Sequence, residues 1–390
     1  MDGARAVVIG AGIGGLCAAI GLRRRGWDVT VLERAPAFAE VGAGLTLMAN
    51  GLRGLDALGV GTAVHRAGHA DAPGGVRTPS GRWISRVDGR AMTRVLGTAA
   101  VGIHRAHLHR VLRDALPAAV LVGGAEVVDV TPGPPPQLRY RRDGQETTER
   151  CDLVVAADGI DSLVRSRLWP DHPRPRHVGS TAWRGVTTGA PDGEIPTAVT
   201  WGHGSEFGVV PLGDGRVYWY GAVTAGPDQD FPEGDGMSVV RARFGTWHAP
   251  VPDVLDATDP ATVIRTDLYH LDTPLPSFRR GAVAVLGDAA HAMTPHLGQG
   301  ANQAIEDAVV LAARCTPGGD VDAALAAYDR ERRPRAQQVA RAALQVARFG
   351  QQLRHPVAVG LRNAAMRLTP PRVALRSMSR HADWTPPPIP

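Results

Sequence analysis

Three glycines near the N-terminus have the spacing of a phosphate-binding turn. Gly10, Gly12 and Gly15 follow an apolar stretch at 5–9 and open a stretch with apolar residues at helical spacing. The first glycine would permit a tight turn, the second would let the backbone approach a pyrophosphate, and the third would let the helix pack on the strand. Glu33, 18 residues after Gly15, could accept hydrogen bonds from ribose hydroxyls. The pattern predicts a dinucleotide site and leaves both FAD and NAD open.

A second glycine-rich turn lies near residue 300. Asp288 follows the apolar stretch 281–286, and Gly298 and Gly300 precede apolar residues at helical spacing. Free amide groups at the start of that helix could stabilise negative charge that develops on the electron-accepting carbonyl end of a cofactor. This segment therefore favours a redox cofactor over a nucleotide alone.

The elements that would position these residues alternate between apolar strands and helices. Strands are predicted at 5–9, 28–32, 151–157 and 281–286, and helices from residue 13, over 105–116 and over 301–314. Asp158 follows the third of these strands, and by itself it indicates only a turn and a capped helix. The alternation predicts an α/β fold with a parallel sheet.

The pattern of residues along the sequence changes between about 176 and 278. Short strands alternate there with Gly/Pro turns, and four of the eight tryptophans fall in this stretch, which predicts an antiparallel sheet. The predicted architecture is a Rossmann-like lobe interrupted by an antiparallel-sheet substrate domain and followed by C-terminal helices with a Pro-rich tail. The predicted segments are 1–70, 98–175 and 279–335 for the lobe, 71–97 for a connection on the substrate side, 176–278 for the β-rich domain, and 336–390 for the C-terminal part.

The charge is unevenly distributed along the chain. The 43 basic residues are all arginine, because the sequence holds no lysine, which excludes lysine Schiff-base and P-loop chemistry. Residues 331–382 contain eleven arginines and one acid, so the remainder is mildly acidic and a nucleic-acid partner is not expected. The basic end predicts helices with solvent-facing arginines, or a homodimer surface. Its apolar positions are mostly alanine and valine, which insert poorly into lipid and disfavour membrane binding.

The cysteines and the N-terminus indicate an intracellular setting. Cys17, Cys151 and Cys315 are odd in number and fall in no Cys/His cluster, which predicts reduced thiols and no metal site. The N-terminal residues lack the basic and apolar regions of a signal peptide. A cytoplasmic location is therefore predicted.

Taken together, these segments resemble the single-component FAD-dependent aromatic hydroxylases, the family of the salicylate, 3-hydroxybenzoate and 4-hydroxybenzoate hydroxylases. The resemblance spans about residues 4–345. It also includes VGAGLTLMANGLRGLDALG at 41–59 and IHRAHLHRVL at 103–112. It implies FAD as cofactor, NADH or NADPH as reductant, and hydroxylation of a small aromatic or polycyclic substrate by O2 through a flavin C4a-hydroperoxide.

The resemblance also implies roles for individual residues. The glycine loop would cradle the FAD pyrophosphate, and Glu33 would bind the adenosine ribose. The other residues that it places against the cofactor are Arg34, Arg105, Asp158, Asp288, Pro295, Gly298, Gly300, Ala301 and Asn302. Of these, Asp158 is associated with both FAD and NAD(P)H, and the segment from Pro295 to Asn302 would line the isoalloxazine ring.

Residues for the substrate side come from the β-rich segment and from the turn near residue 296. His296 could accept a proton near pH 7, whereas His291, inside the motif turn, is interpreted as structural. Pro295, Arg184 and Tyr218 complete the candidate catalytic set. Trp183, Trp201, His203 and Tyr220 are the substrate candidates, although either face of a sheet is open to each.

Several alternatives remain open at this point. An epoxidase or a Baeyer–Villiger-type oxygenase would use the same flavin chemistry, and a nucleotide-binding regulator would use the fold without turnover. A flavin halogenase is rejected because it relies on a lysine and a W-x-W-x-I-P segment, neither of which is present. A plain NAD dehydrogenase would explain the first glycine turn but not the second.

Overall fold

The computed structural model describes residues 3–37, 43–70, 74–86, 89–191, 193, 195–227, 229, 231 and 236–389. Val41 and Gly42, at the start of the predicted segment 41–59, lie outside the described residues, as do small parts of segments 71–97 and 176–278.

The strands, in chain order, are β1 Arg5–Ile9, β2 Asp28–Glu33, β3 Gly44–Leu47, β4 His69–Ala70, β5 Gly75–Arg77, β6 Trp83–Arg86, β7 Val101–His104, β8 Leu121–Gly123, β9 Glu126–Thr131, β10 Gln137–Arg142, β11 Gln145–Arg150, β12 Leu153–Ala156, β13 Arg176–Val186, β14 Ala198–Trp201, β15 Ser205–Pro211, β16 Val217–Thr224, β17 Ile264–His270, β18 Arg279–Arg280 and β19 Val283–Val285. The helices are α1 Ile13–Arg24, α2 Ala49–Ala57, α3 Gly61–Ala67, α4 Gly89–Leu96, α5 Arg105–Asp114, α6 Leu163–Leu168, α7 Gly236–Phe244, α8 Val251–Asp256, α9 Asp288–His291, α10 Gly300–Arg314, α11 Val321–Phe349, α12 Pro356–Leu368 and α13 Pro371–Ser379.

The first sheet has the strand order β18-β19-β12-β1-β2-β8 and is parallel except for the pair β18 and β19. Its central strands are runs of buried apolar residues, as expected for parallel strands that are covered on both faces. The predicted α/β class is confirmed. Because β1, β12 and β19 are parallel neighbours, the residues that follow each of them meet at one edge of the sheet.

Helix α1 lies buried against the sheet and against α10. An added Cβ at Gly14 would lie 3.2 Å from Ala304 Cβ, and one at Gly21 would lie 2.7 Å from Ala312 Cβ, both in α10. The glycines therefore let the two helices pack closely, which places the start of α10 beside the start of α1.

The second sheet has the order β17-β13-β16-β15-β14-β5-β6 and is antiparallel apart from the pair β14 and β5. Strands β5 and β6, from the 71–97 segment, extend the sheet formed by residues 176–270. One face of this sheet carries an apolar core that includes Trp183, Phe207 and Trp219 and packs against α7 and α8. Its other face is turned toward the glycine-rich turn near residue 300.

The C-terminal part is helical, and α11 continues through Pro334. Within the part of the chain that the structure describes, we find no helix with the length and apolar character needed to cross a membrane.

Candidate active site

The first glycine turn has the geometry that a bound phosphate requires. Gly10 has a φ of +98°, and an added Cβ at Gly15 would lie only 1.9 Å from the Gly10 carbonyl oxygen. An added Cβ at Gly12 would meet no atom within 4 Å. Gly12 is also the N-cap of α1 and makes no side-chain cap, so the first amide groups of that helix remain for a ligand. The turn is therefore a cradle for an anionic group.

Glu33 stands at the end of β2 and holds the cradle in shape. Its Oε2 accepts a hydrogen bond from the Ala11 amide at 2.8 Å, and its Oε1 accepts one from the Ala35 amide at 2.9 Å. Each carboxylate oxygen can accept a further bond, so a ribose hydroxyl can be bound without breaking either contact. Arg34 is exposed next to Glu33 and lines a surface cavity of about 480 Å³.

Helix α5 packs over the same turn through a residue that sequence reasoning did not single out. The His109 ring nitrogen Nε2 lies 2.8 Å from the Ala11 carbonyl oxygen. Arg105, the first residue of α5, is exposed, and its backbone amide donates to the Ala43 carbonyl. The spacing His109 to Arg105, one helical turn, puts both on the side of α5 nearest the cradle.

Asp158 follows β12 and caps the next turn. It accepts hydrogen bonds from the Ser162 hydroxyl at 2.6 Å and from the Val164 amide at 3.1 Å. Burial raises the pKa of its carboxyl. Its two oxygens are thus engaged in local structure, and a direct role toward a cofactor stays a prediction.

Asp288 is exposed at the start of α9, immediately after β19 and Gly287. The buried Arg165, from the segment of Asp158, donates to the Ala289 carbonyl at 3.1 Å and to the Ile160 carbonyl at 2.5 Å. Arg165 therefore connects the loop after β12 to α9, a link that the sequence analysis missed. The two acidic motifs consequently share one edge of the sheet with the glycine cradle.

The turn before α10 presents open backbone. Gly298 has a φ of +60°, and an added Cβ at Gly300, the first residue of α10, would meet no atom within 4 Å. Pro295 is exposed at the start of this turn, and Ala301 is half-buried. The amide groups of the first helical turn can therefore approach a ligand.

The side chain of Asn302 holds the turn before α10 in place. Its side chain is fully buried, its Oδ1 accepts from the Met48 amide at 2.9 Å, and its Nδ2 donates to the carbonyls of Thr46 and Gly298 at 3.1 and 2.8 Å. The side chain is committed to protein groups and positions the turn against β3, so a contact between Asn302 and the cofactor would involve its backbone and stays a prediction.

The second sheet contributes a polar cluster that faces this turn. Tyr218 and Tyr220 alternate with the core residue Trp219, and Arg184 lies directly opposite Tyr220. Arg184 donates to the Thr266 hydroxyl at 3.0 Å, and its guanidinium acts to lower the pKa of the Tyr218 phenol. Burial raises the pKa of the Tyr218 phenol, which therefore stays protonated at neutral pH.

Tyr218 also connects the cluster to the cofactor side. An added Cβ at Gly44 would lie 2.4 Å from the Tyr218 Cβ, so the tyrosine packs directly on β3. Because Asn302 bonds to Thr46 on the same strand, β3 contacts both the polar cluster and the start of α10.

His296 enters the cluster from the turn, where it meets a glutamate that sequence reasoning missed. Its Nε2 lies 3.7 Å from Oε1 of Glu206, and the side chains are 1% and 4% exposed. The Trp201 indole donates to Oε2 of Glu206 at 3.1 Å. Burial raises the pKa of the Glu206 carboxyl. The structure thus brings together Arg184, Trp201, Tyr218, Tyr220 and His296, with Glu206 among them.

Two substrate candidates do not join this cluster. Trp183 precedes Arg184 in an extended strand and so points to the opposite face, where it packs edge-on to Phe231 in the apolar core. His203 is exposed in the turn between β14 and β15, with Nδ1 3.3 Å from the Arg354 carbonyl. Both predictions are corrected, because strand alternation and hairpin position remove these side chains from the cluster.

His291 lies in the protein interior. Its Nε2 is 2.6 Å from Oδ2 of Asp307, which also accepts from the Gly287 amide at 3.0 Å. Arg332, fully buried, donates to Oδ1 of Asp307 at 2.7 Å and pairs with Glu306. This network ties α9, α10 and α11 together, consistent with a structural histidine.

Comparisons with known proteins agree with this geometry. The sequence model of a family described as "FAD binding domain" matches residues 4–343. The aurachin C monooxygenase/isomerase of Stigmatella aurantiaca is 38% identical over 350 residues, which are 90% of each chain. The FAD-dependent urate hydroxylase of Mycolicibacterium vanbaalenii is 33% identical over 342 residues, 85% of each chain.

Solved structures match along nearly the whole length. Klebsiella pneumoniae HpxO complexed with FAD and uric acid superposes with a TM-score of 0.89 and 26% identity, covering 97% of this chain and 96% of that one. A salicylate hydroxylase substrate complex superposes with a TM-score of 0.75 at 23% identity, covering 98% of each chain, and that likeness concerns the fold alone.

Proposed function

The chain belongs to the single-component FAD-dependent aromatic hydroxylases and is an FAD-dependent monooxygenase, and from this premise we propose that it uses NADH or NADPH and O2 to hydroxylate a small aromatic or polycyclic compound. One observation carries the proposal. The turn from Pro295 to Gly300 joins two sites, because His296 enters the buried polar cluster while Gly300 opens α10 beside the phosphate cradle.

The residues of the site fit FAD. Gly12 and Gly300 leave room for close approach, and α1 and α10 offer amide groups to a phosphate and to a ring carbonyl. We propose that Gly10, Gly12 and Gly15 hold the pyrophosphate and Glu33 the adenosine ribose. The remaining contacts we propose are Arg34, Arg105, Asp158, Asp288, Pro295, Gly298, Gly300, Ala301 and the backbone of Asn302. When bound, FAD would take two electrons from NAD(P)H and use them to activate O2.

The protein's own share of the chemistry lies in the polar cluster. Tyr218, held by Arg184, would orient the substrate ring over the turn, and His296 would accept the proton of the substrate group that becomes electron-rich. The burial of these side chains would keep water from the reacting centre. Trp201 and Tyr220 would contact the substrate ring from the side of the second sheet.

The setting of the enzyme follows from its chemistry. Cys17, Cys151 and Cys315 are free and buried, which supports our proposal of a cytoplasmic location, where NADH and NADPH are available. A homodimer formed through the C-terminal helices stays a prediction.

The experiment that tests the function is a flavin measurement followed by an oxygen-uptake screen. The purified protein should bind FAD and absorb near ~450 nm. Oxygen uptake with NADH and NADPH should then rise with one or more members of a panel of phenols, anthranilates, quinolones and polyketide aromatics. A protein that binds no FAD, or whose NAD(P)H oxidation no aromatic stimulates, would contradict the proposal and favour the regulator.

A further inference from the structure

The imidazole ring of His296 is buried, and its side chain is 1% exposed. Within the part of the chain that the structure describes, neither ring nitrogen, Nδ1 or Nε2, has a hydrogen-bond partner. The nearest polar group, Oε1 of Glu206, is 3.7 Å from Nε2, beyond hydrogen-bond distance. Buried polar groups in folded proteins are almost always partnered, so these two nitrogens are free to bind a further polar group at this place.

Glu206 determines which chemical groups can bind beside His296. Its Oε2 accepts from the Trp201 indole at 3.1 Å, while Oε1 is directed toward His296. Among the described residues, no arginine lies within 4 Å of this carboxylate, and Arg184 is engaged with Tyr218 and Thr266. A buried carboxylate in this setting accepts hydrogen bonds and disfavours a second anion nearby, because burial weakens screening.

We propose that Glu206 and His296 form a substrate subsite that binds a hydrogen-bond donor on the ring, such as a ring N–H, and that rejects rings bearing a carboxylate group. This inference deepens the proposed function and rests on it. The donor would hydrogen-bond to Oε1 of Glu206 and lie against the imidazole of His296.

The pair's position agrees with this assignment. Glu206 lies beside Trp201 on the face of the sheet that also carries Tyr218 and Tyr220. Burial raises the pKa of the Glu206 carboxyl and outweighs the opposite effects of the His296 imidazole and the Trp201 hydrogen bond. A donor from the ligand would supply the missing interaction.

The test is a calorimetric titration of the FAD-loaded protein with three matched ligands. These are 4(1H)-quinolone, its N-methyl form, which lacks the donor, and 4-hydroxyquinoline-2-carboxylate, which adds an anion. We expect the N–H ligand to bind, and each of the other two to bind at least about ten-fold more weakly, the effect of one unmet buried hydrogen bond or charge.

Variants separate the two parts of the proposal. Glu206→Gln keeps an acceptor and removes the charge, so it should retain the preference for N–H over N-methyl while it admits the carboxylate. Glu206→Leu should lose the preference for N–H. Glu149→Gln, a change at a half-buried ion pair with Arg5 outside the cluster, is the matched control and should leave all three affinities unchanged. FAD content and melting temperature verify that each variant folds.

The wild-type titrations decide the matter even if a variant fails to fold. Equal affinity for the N–H and N-methyl ligands, tight binding of the carboxylate, or no binding of the N–H ligand would overturn the inference. The proposed function fails on a different result, namely absence of FAD or of aromatic-dependent oxygen uptake. An enzyme that hydroxylates carboxylated phenols but ignores quinolones would keep the function and lose the inference.

Discussion

A pair of glycine substitutions in the first turn separates cofactor binding from folding. At Gly12 an added Cβ meets no atom within 4 Å, and the backbone there, with φ of −69° and ψ of 178°, is extended and open to any residue. At Gly15 an added Cβ lies 1.9 Å from the Gly10 carbonyl oxygen, a backbone atom that cannot swing aside. Gly12→Ala should therefore leave the stability of the apoprotein nearly unchanged, whereas Gly15→Ala should lower it.

The magnitudes follow from these distances. Gly12→Ala should change the free energy of unfolding of the apoprotein by no more than about 0.5 kcal/mol, as for substitutions without new contacts. If the FAD pyrophosphate approaches at Gly12, the extra methyl group costs about 1–3 kcal/mol of binding, which weakens FAD affinity by roughly 5–150-fold. Gly15→Ala needs a backbone shift of more than an ångström, and we expect it to lower the free energy of unfolding by about 3 kcal/mol.

The assay is thermal or urea unfolding of the apoprotein together with an FAD titration followed by flavin fluorescence. Gly189→Ala is the control, because an added Cβ at Gly189 also meets no atom within 4 Å and lies away from the cradle. Wild-type FAD affinity in Gly12→Ala would refute the placement of the pyrophosphate. Wild-type stability in Gly15→Ala would refute the packing of the turn.

Three further predictions concern other parts of the site. Asp288→Ala should reduce the FAD content of the purified protein at least about ten-fold with little change in melting temperature, because the side chain is exposed and available to the cofactor; full FAD content would contradict this. Tyr218→Phe should leave FAD content unchanged and raise the KM for the aromatic substrate, because it removes a buried hydroxyl that we propose orients the substrate ring; an unchanged KM in steady-state kinetics argues against the role. Burial alone would raise the pKa of the Asp307 carboxyl, but His291 and Arg332 outweigh it and hold that pKa at about 2, against 3.8 ordinarily. The corresponding stability of roughly 2–3 kcal/mol is present above pH 4 and is lost as the pH falls toward 2. Asp307→Asn should therefore be less stable than wild type in urea at pH 7, and the gap should narrow at acid pH; a gap that stays constant with pH would contradict this.

The cofactor lobe could be predicted from the sequence because its signals are local. Gly10, Gly12 and Gly15 stand between an apolar strand and an amphipathic helix, and the tight contact of Gly15 with Gly10 is a property of that short turn. The strands before Asp158 and Asp288 are buried apolar runs of the kind that parallel sheets require. Sequence pattern and structure agree where a few consecutive residues determine the geometry.

The substrate side could not be predicted in the same way, because it depends on which face of a sheet is covered. Trp183 and Arg184 are neighbours in β13, and only the packing of α7 and α8 on one face decides that Trp183 enters the core. Glu206 looks like an ordinary polar strand residue until β14 and the turn of His296 are brought beside it. Asn302 fits the family pattern, but its side-chain amide is hydrogen-bonded to Met48 and Thr46, which lie more than 250 residues away in the chain.

The central claim, that this chain is a monooxygenase of aromatic compounds, is tested most directly by following oxygen atoms. A substrate identified in the oxygen-uptake screen should be turned over under 18O2 with NADH or NADPH, and its product analysed by mass spectrometry. We predict a product that carries one 18O atom and is absent when FAD is removed. A product without 18O, or consumption of NAD(P)H that yields only hydrogen peroxide with every aromatic that binds, would contradict the claim.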